Sequence, residues 1–146
     1  GICFLYQERE GSPFKISVEK CPTTPHDMAH ILTYPPISRV PTHNNMMCLI
    51  EHVHSMPKQG VKSMFNFGFN YGLWIGMLAA LKIPYYKTTP HKWMKHYGAM
   101  PKERKDRKNH LKSIAQSLYP DTHITLSTAD AILIAHYLPH DTVSST

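Results

Sequence analysis

The chain has 146 residues, of which 42% are hydrophobic and 18% charged, and it carries a formal net charge of +6 with a pI of about 9.3. The length suits one globular domain, and the apolar content excludes an intrinsically disordered chain. The positive charge favours an anionic partner such as nucleic acid, phosphate or a membrane surface.

The first half of the chain predicts three strands and one short helix. Residues 2–7 and 14–20 flank a turn and read as the two strands of a hairpin. A loop and short helix follow at 21–32, with Thr24 near the helix N-terminus. After a proline-rich connection, the apolar run at 46–53 predicts a central strand that is buried on both faces.

The second half predicts one strand among four helices. In chain order we expect a loop at 55–64, an uncharged helix at 64–81, a strand at 83–90, a helix at 91–98 closed by Gly98, a basic amphipathic helix at 101–120 and a final helix at 127–138 capped by Ser127 or Thr128. Residues 139–146 predict a frayed tail. Strands that come first and then alternate with helices predict a single α/β domain at 1–138, with helices on both faces of the sheet.

The uncharged helix has the glycine spacing of associating membrane helices. Gly68, Gly72 and Gly76 form two overlapping GxxxG steps in a stretch without any charge. Two asparagines interrupt that stretch, and only about 17 of its residues suit a span, which is short for a bilayer. We therefore expect no membrane partner.

Two other interpretations of this helix remain open. Its glycine face can pack closely against a strand inside a protein. Alternatively, its N-terminal end can approach a DNA backbone, with Phe65 and Phe67 among the aromatic residues that contact bases.

Glu51 ends the apolar run and is the first candidate for a functional side chain. Alternation along a strand puts Glu51 on the face of Leu49 and puts His52 and His54 on the opposite face. This geometry disfavours a three-ligand zinc site built from the motif. A buried carboxylate needs a basic partner or a divalent cation, and both interpretations of Glu51 stay open.

Asp130 lies in the first turn of the final helix. There it either complements the helix dipole or points at the same strand ends as Glu51. Two carboxylates that meet at one sheet edge form a hard-oxygen site suited to Mg²⁺, with Mn²⁺ as a substitute. The sequence therefore predicts Glu51 and Asp130 as metal ligands and catalytic residues.

Most of the positive charge lies between residues 92 and 112. Eight basic residues in this window face only two acids, Glu103 and Asp106, which gives the window a net charge of +6. The basic residues are Lys92, Lys95, Lys102, Arg104, Lys105, Arg107, Lys108 and Lys112. We expect this surface to bind DNA phosphates.

Three segments together resemble the RuvC-like Holliday junction resolvases, especially the phage and organellar branch. They are IEHVHSMPKQGVKSMFNFGFNYGLWIGMLAALKIPYYKTTPHKWMK at 50–95, KDRKNHLKSIAQSLYP at 105–120 and ADAILIA at 129–135. The resemblance implies a ribonuclease-H-like three-layer fold with a central mixed sheet flanked by helices. It also implies a homodimer that cuts four-way DNA junctions with Mg²⁺ or Mn²⁺.

The resemblance also assigns roles to individual residues. Glu51 resembles the acid on the fourth strand of the family, and Asp130 resembles the acid of its C-terminal helix. Phe65 or Phe67, placed in the loop before the glycine helix, corresponds to the residue that reads the junction centre. Lys105 resembles the lysine near the scissile phosphate. We further expect His123 or Lys105 to assist proton transfer or charge stabilisation at the phosphate, and Lys58 to sense the branch point together with the loop aromatics.

Two departures from the family pattern matter. The family's first acid, in an Asp-Pro-Gly turn, and its whole first strand have no counterpart, so we expect the chain to be a fragment of a longer one. The Asp-His pair near the final acid is also missing, since Thr125 and Leu126 stand there, with Asp121 and His123 as the nearest substitutes. These departures favour an alternative, a non-catalytic protein that binds branched DNA.

The cysteines bear on the compartment. Cys3, Cys21 and Cys48 are odd in number and form no Cys-x-x-Cys pair, which disfavours a disulfide framework. With no secretion signal visible, we expect an intracellular, reducing compartment, either the cytoplasm or nucleoid or an organelle matrix.

Overall fold

The computed structural model describes residues 1–37, 46–52 and 60–143, with side chains described as far as Tyr137. Within these ranges the elements are β1 (Ile2–Tyr6), β2 (Lys15–Glu19), α1 (Pro25–Thr33), β3 (Cys48–Glu51), α2 (Val61–Ala80), β4 (Tyr85–Thr88), α3 (Pro90–His96), α4 (Arg104–Leu118) and α5 (Ala129–Val143). The predicted α/β class is confirmed at this level.

The first two strands form the predicted antiparallel hairpin. Their register runs from Ile2 opposite Glu19 to Tyr6 opposite Lys15. Gly11 in the connecting turn has a φ of +77°, a conformation that favours glycine because it has no Cβ. The hairpin is therefore fixed by local sequence.

Strands β3 and β4 pair in parallel through the crossover helix α2, with Glu51 opposite Thr88. Within the described residues β3 is not the central strand that the sequence predicted. There β3 spans four half-buried residues and pairs with β4 alone. A strand is central in a sheet only when another strand pairs with each of its edges, and an apolar run in the sequence reports burial of the faces and not pairing of the edges.

Several helix boundaries differ from those predicted. Helix α2 begins at Val61, directly after an extended Gly60, whereas the sequence predicted a loop to residue 64. Phe65 and Phe67 therefore lie within the helix rather than in a loop before it. Helix α5 continues to Val143, so it includes part of the predicted tail. A proline such as Pro139 removes one backbone hydrogen bond, which can bend a helix without ending it.

Strand β3 separates two groups of buried side chains. The larger group contains Trp93, Leu111, Ala115, Ile132 and Leu133 from the last three helices, with Leu49 packed against it. The smaller contains Leu32, Leu78 and Ile83, with Cys48 packed against it. Adjacent residues of β3 thus point to opposite faces, which confirms the predicted alternation.

The glycine face of α2 does not pack against any of the strands β1 to β4. Among the described residues, no atom outside the nearby backbone of α2 lies within 4 Å of a Cβ placed on Gly68, Gly72 or Gly76. The close-packing interpretation is therefore wrong for the described part of the chain, where Leu78 is the buried residue of α2. Among the helices described, none is both long and apolar enough to cross a membrane.

Candidate active site

Among the described residues, the side chain that holds Glu51 is an indole and not a basic group. It is the last residue of β3, and its Oε1 accepts a hydrogen bond of 2.7 Å from Nε1 of Trp93. Trp93 is 1% exposed, so its ring is fixed by the surrounding core. A buried indole N–H needs an acceptor, and Glu51 supplies it while its own orientation becomes fixed.

The start of α3 places Trp93 at this position. The Thr89 hydroxyl accepts a hydrogen bond from the backbone N–H of Lys92, and Pro90 occupies the first helical position. Thr88, opposite Glu51 in the parallel pair, is 1% exposed. Its hydroxyl oxygen has no hydrogen-bond partner among the described residues.

A second contact fixes α3 against α5. The Tyr97 hydroxyl donates a hydrogen bond of 2.6 Å to the carbonyl of Leu133. Burial raises the pKa of Tyr97 well above its ordinary value, and the nearby Tyr119 raises it further. The Tyr97 hydroxyl therefore remains a hydrogen-bond donor at any physiological pH. This contact connects the helix that carries Trp93 with the helix that carries Asp130.

Asp130 lies in the first turn of α5 and has two different carboxylate oxygens. Oδ2 pairs with the ammonium group of Lys108 on α4. Oδ1 is buried and has no hydrogen-bond partner among the described residues. A buried, unpaired carboxylate oxygen is costly, so this atom is available to a ligand.

Glu51 and Asp130 both line one small cavity of about 130 Å³. Glu51 and Asp130 line it together with Arg104, Arg107 and Lys108. Three cations against two carboxylates give the lining a formal charge of +1 at neutral pH. Such a site attracts an anion while it still offers carboxylate oxygens to a cation.

Arg107 also holds the loop that precedes α4. Its Nη1 donates hydrogen bonds of 3.2 and 3.0 Å to the carbonyls of Pro101 and Lys102. These bonds tie the loop before α4 to the first turns of the helix. Arg107 thus combines a structural role in this loop with a place in the lining of the cavity.

The residues present fit a magnesium ion only in part. Mg²⁺ in phosphoryl-transfer sites commonly takes one or two carboxylates and completes its shell with water and phosphate oxygens. Glu51 and the unpaired Oδ1 of Asp130 supply that number. No group of three or more His, Cys, Asp or Glu able to hold a metal occurs in the described part of the chain.

No protein-family model matches the chain, and no match was found among curated proteins. The site is therefore interpreted from its own geometry.

The remaining predicted site residues lie away from the cavity or outside the described ranges. His123 is exposed in the turn between α4 and α5 and does not line the cavity. Lys105 is exposed on the first turn of α4. Lys92 and Lys95 are exposed on α3, and Lys102 is exposed before α4. Lys58 falls outside the described residues.

The aromatic residues in the first half of α2 are mostly exposed to solvent. Phe65 is 71% exposed and stacks on Phe69, with ring centroids 6.4 Å apart, while Phe67 is 48% exposed. One turn further along α2, the Tyr71 hydroxyl lies 3.2 Å from Nδ1 of His52, the residue after Glu51. A contiguous patch of exposed apolar side chains is typical of an interaction surface.

Sequence reasoning missed Trp93 as the partner of Glu51 and Lys108 as the partner of Asp130. The sequence contained a signal for the Trp93–Glu51 pair, because the indole N–H of a buried tryptophan needs a hydrogen-bond acceptor and Glu51 was an acid without an assigned partner. For the second, a helical repeat places Lys108 one turn before the buried Leu111 and so on the inner face of α4.

Proposed function

We propose that this protein is a metal-dependent endonuclease that acts on branched DNA and resolves four-way junctions. One observation carries the proposal. Two carboxylates from distant parts of the chain line a single cavity together with three basic side chains. Phosphodiester hydrolysis needs carboxylates that bind a divalent metal ion and, beside them, basic side chains that bind the phosphate.

In this proposal Glu51 and Oδ1 of Asp130 hold the ion. When bound, Mg²⁺ supplies a Lewis acid that activates water and offsets phosphate charge. Trp93 keeps Glu51 in one orientation through its 2.7 Å hydrogen bond. Lys108, which neutralises Asp130 in the described state, shifts to the phosphate oxygens when DNA enters, because the two anions compete for one ammonium group.

The DNA backbone would lie along the exposed side of α3 and α4. Lys105 extends this surface beyond the cavity, as do three further basic side chains, Lys92, Lys95 and Lys102. Phe65 and Phe67 supply aromatic faces that stack on unpaired bases at a branch point. Paired cuts across a four-way junction require two active sites, so the proposal includes a homodimer.

A second candidate is a branched-DNA-binding protein without catalysis. The Lys108–Asp130 ion pair favours this second candidate, because a lysine ammonium group that pairs with the carboxylate can take the place of a metal ion. The absence of a three-ligand cluster in the described ranges favours it as well. Both candidates share the basic surface and differ only in hydrolysis.

Binding and cleavage of a labelled four-way junction separate the two candidates. We expect paired cuts with Mg²⁺ or Mn²⁺, none with EDTA, and none from Glu51→Gln or Asp130→Asn. Asp121→Asn is the matched control, since Asp121 is an exposed acid outside the cavity. Tight junction binding without cuts in any metal would establish the second candidate. A chain that binds linear duplex as tightly as the junction would overturn both.

A further inference from the structure

Each carboxylate of the small cavity has one oxygen occupied by a donor of the protein itself. Oε1 of Glu51 accepts a hydrogen bond of 2.7 Å from the indole N–H of Trp93. Oδ2 of Asp130 pairs with the ammonium group of Lys108. Oδ1 of Asp130 has no hydrogen-bond partner among the described residues, and Oε2 of Glu51 is the oxygen that Trp93 does not hold. Each acid therefore offers one oxygen to a ligand and not two.

The two donors are held in place for different reasons. Trp93 packs among the buried residues of the last three helices, so its indole cannot turn away from Glu51 without disturbing that core. Lys108 is partly exposed and its stem is flexible, but its positive charge is attracted to the carboxylate of Asp130. Packing thus reserves one carboxylate oxygen, and charge reserves the other.

We propose that Trp93 and Lys108 determine which metal ion the cavity accepts in the protein without DNA. By occupying Oε1 and Oδ2, they limit Glu51 and Asp130 to one oxygen each and so select Mg²⁺ over Ca²⁺. The inference rests on the proposed function, because it takes these two acids as ligands of the ion. Neither Trp93 nor Lys108 binds the ion itself, so both are positioning residues whose effect is measured as ion selectivity.

The two ions differ in how many oxygens they require and how they bind a carboxylate. Ca²⁺ takes about six to eight oxygen ligands at about 2.3–2.6 Å and commonly binds both oxygens of one carboxylate. Mg²⁺ takes about six ligands in a strict octahedron at about 2.0–2.1 Å and usually keeps several waters. Proteins commonly hold it through one or two carboxylates. Two acids that each offer a single oxygen therefore suit Mg²⁺ and leave Ca²⁺ short of ligands.

An oxygen that already accepts a charge-assisted hydrogen bond is a poor second ligand. Bidentate binding brings the ion close to both oxygens of the acid, and therefore close to the donor that holds one of them. At Asp130 that donor is the ammonium group of Lys108, and two cations at one oxygen repel each other. At Glu51 the ion would displace the indole N–H of Trp93, which would leave a buried donor without an acceptor.

The rest of the cavity lining suits the same ion. No histidine or cysteine is among the described residues that line it, so Zn²⁺, which prefers imidazole and thiolate ligands, finds neither. An octahedral Mg²⁺ held by two protein oxygens keeps about four positions for water and phosphate oxygens. The basic side chains of Arg104 and Arg107 line the same cavity and favour a phosphate in those positions.

Competition between ions tests the inference without DNA. Mn²⁺, which stands in for Mg²⁺, is bound first, and Mg²⁺ or Ca²⁺ is then added while electron paramagnetic resonance measures the displaced Mn²⁺. The measured quantity is the ratio of the Ca²⁺ and Mg²⁺ dissociation constants. Trp93→Phe frees Oε1 of Glu51, and Lys108→Met frees Oδ2 of Asp130.

The chain offers a matched control for each variant. Trp74→Phe makes the same change at the second tryptophan, which packs on the other side of β3. Lys112→Met removes the same charge one turn further along α4, from a half-buried lysine that does not line the cavity. Circular dichroism confirms that each variant is folded before its ions are measured.

We expect the wild type to prefer Mg²⁺ over Ca²⁺ by about tenfold or more. Trp93→Phe and Lys108→Met should each reduce that preference by about fivefold, because the freed oxygen lets Ca²⁺ bind both oxygens of the acid. Both controls should keep the wild-type preference within about twofold, since neither residue contacts an acid of the cavity.

The outcomes separate this inference from the proposed function. If Glu51→Gln weakens Mn²⁺ binding but Lys108→Met keeps the wild-type ratio, the inference is overturned and the metal site stands. If no ion binds the wild type, or if Glu51→Gln binds it equally well, the metal site is overturned and the inference with it. Lys108→Met alone decides the outcome if Trp93→Phe does not fold, because the partly exposed Lys108 is not part of the core.

Discussion

The hydrogen bond between Trp93 and Glu51 gives the sharpest prediction about stability. Trp93→Phe keeps an aromatic ring in the core but removes the N–H that Glu51 accepts at 2.7 Å. A hydrogen bond to a charged group contributes about 1.5–3 kcal/mol. Because Glu51 is only half-buried, water can replace part of that, and we expect a pairwise contribution of about 1–2 kcal/mol.

A double-mutant cycle isolates this contribution from the loss of packing. Trp93→Phe, Glu51→Met and the double variant are unfolded with guanidinium and followed by circular dichroism. We expect the two single changes to cost more together than the double variant does, by about 1–2 kcal/mol. Each kcal/mol corresponds to about 2–4 °C in Tm for a chain of this size.

The second tryptophan of the chain provides the control. Trp74 is half-buried against the smaller group of core residues, on the other side of β3. A cycle of Trp74→Phe with Glu51→Met should be additive within about 0.5 kcal/mol. If the Trp93 cycle were equally additive, Trp93 would not hold Glu51, and the orientation assigned to the acid would be wrong.

Three further predictions concern the basic surface and the thiols. Lys105→Ala should flatten the salt dependence of junction binding by about 0.9 in log–log slope, because Lys105 lies on the proposed DNA surface. Equal slopes for the wild type and Lys105→Ala would remove Lys105 from the interface. Burial raises the pKa of Cys48 to about 11 from an ordinary 9.0, so at pH 8 its thiolate is about 100-fold less populated than that of an ordinary cysteine. A thiol reagent should therefore label the exposed Cys21 before Cys48. Equal labelling rates of the two cysteines would contradict this prediction. Because the unfolded thiol ionises at lower pH than the folded one, the stability that Cys48 contributes is full below pH 9 and is lost as pH rises toward 11. Urea unfolding at pH 8 and 10 measures this loss of stability. A Cys48→Ala variant with the same pH dependence as the wild type would refute the assignment.

Local patterns in the sequence were enough to predict most elements. The hairpin follows from two alternating segments around a turn, and α1 follows from the Thr24 cap before a proline. Gly98, with a φ of +93°, ends the segment of α3 as predicted. These features depend on neighbouring residues only, so no tertiary information was needed.

Features that depend on distant partners were harder to predict. The sequence suggested that Glu51 and Asp130 approach one another, because strand ends and helix starts meet at one sheet edge. It did not indicate that Trp93 and Lys108 would be their partners, since these contacts depend on how α3 and α4 pack. Glycine spacing on α2 was misleading for the same reason, because a small-residue face shows what can approach and not what does.

Binding of Mn²⁺ tests most directly whether Glu51 and Asp130 form one metal site. The unbound ion is measured by electron paramagnetic resonance as protein is added, for the wild type and for Glu51→Gln, Asp130→Asn and the control Asp121→Asn. We predict that the wild type and the control bind the ion alike and that each cavity variant weakens binding by at least about tenfold, which is a loss of about 1.4 kcal/mol. Equal affinity in all four proteins would contradict the account, because the two acids would then hold no ion between them.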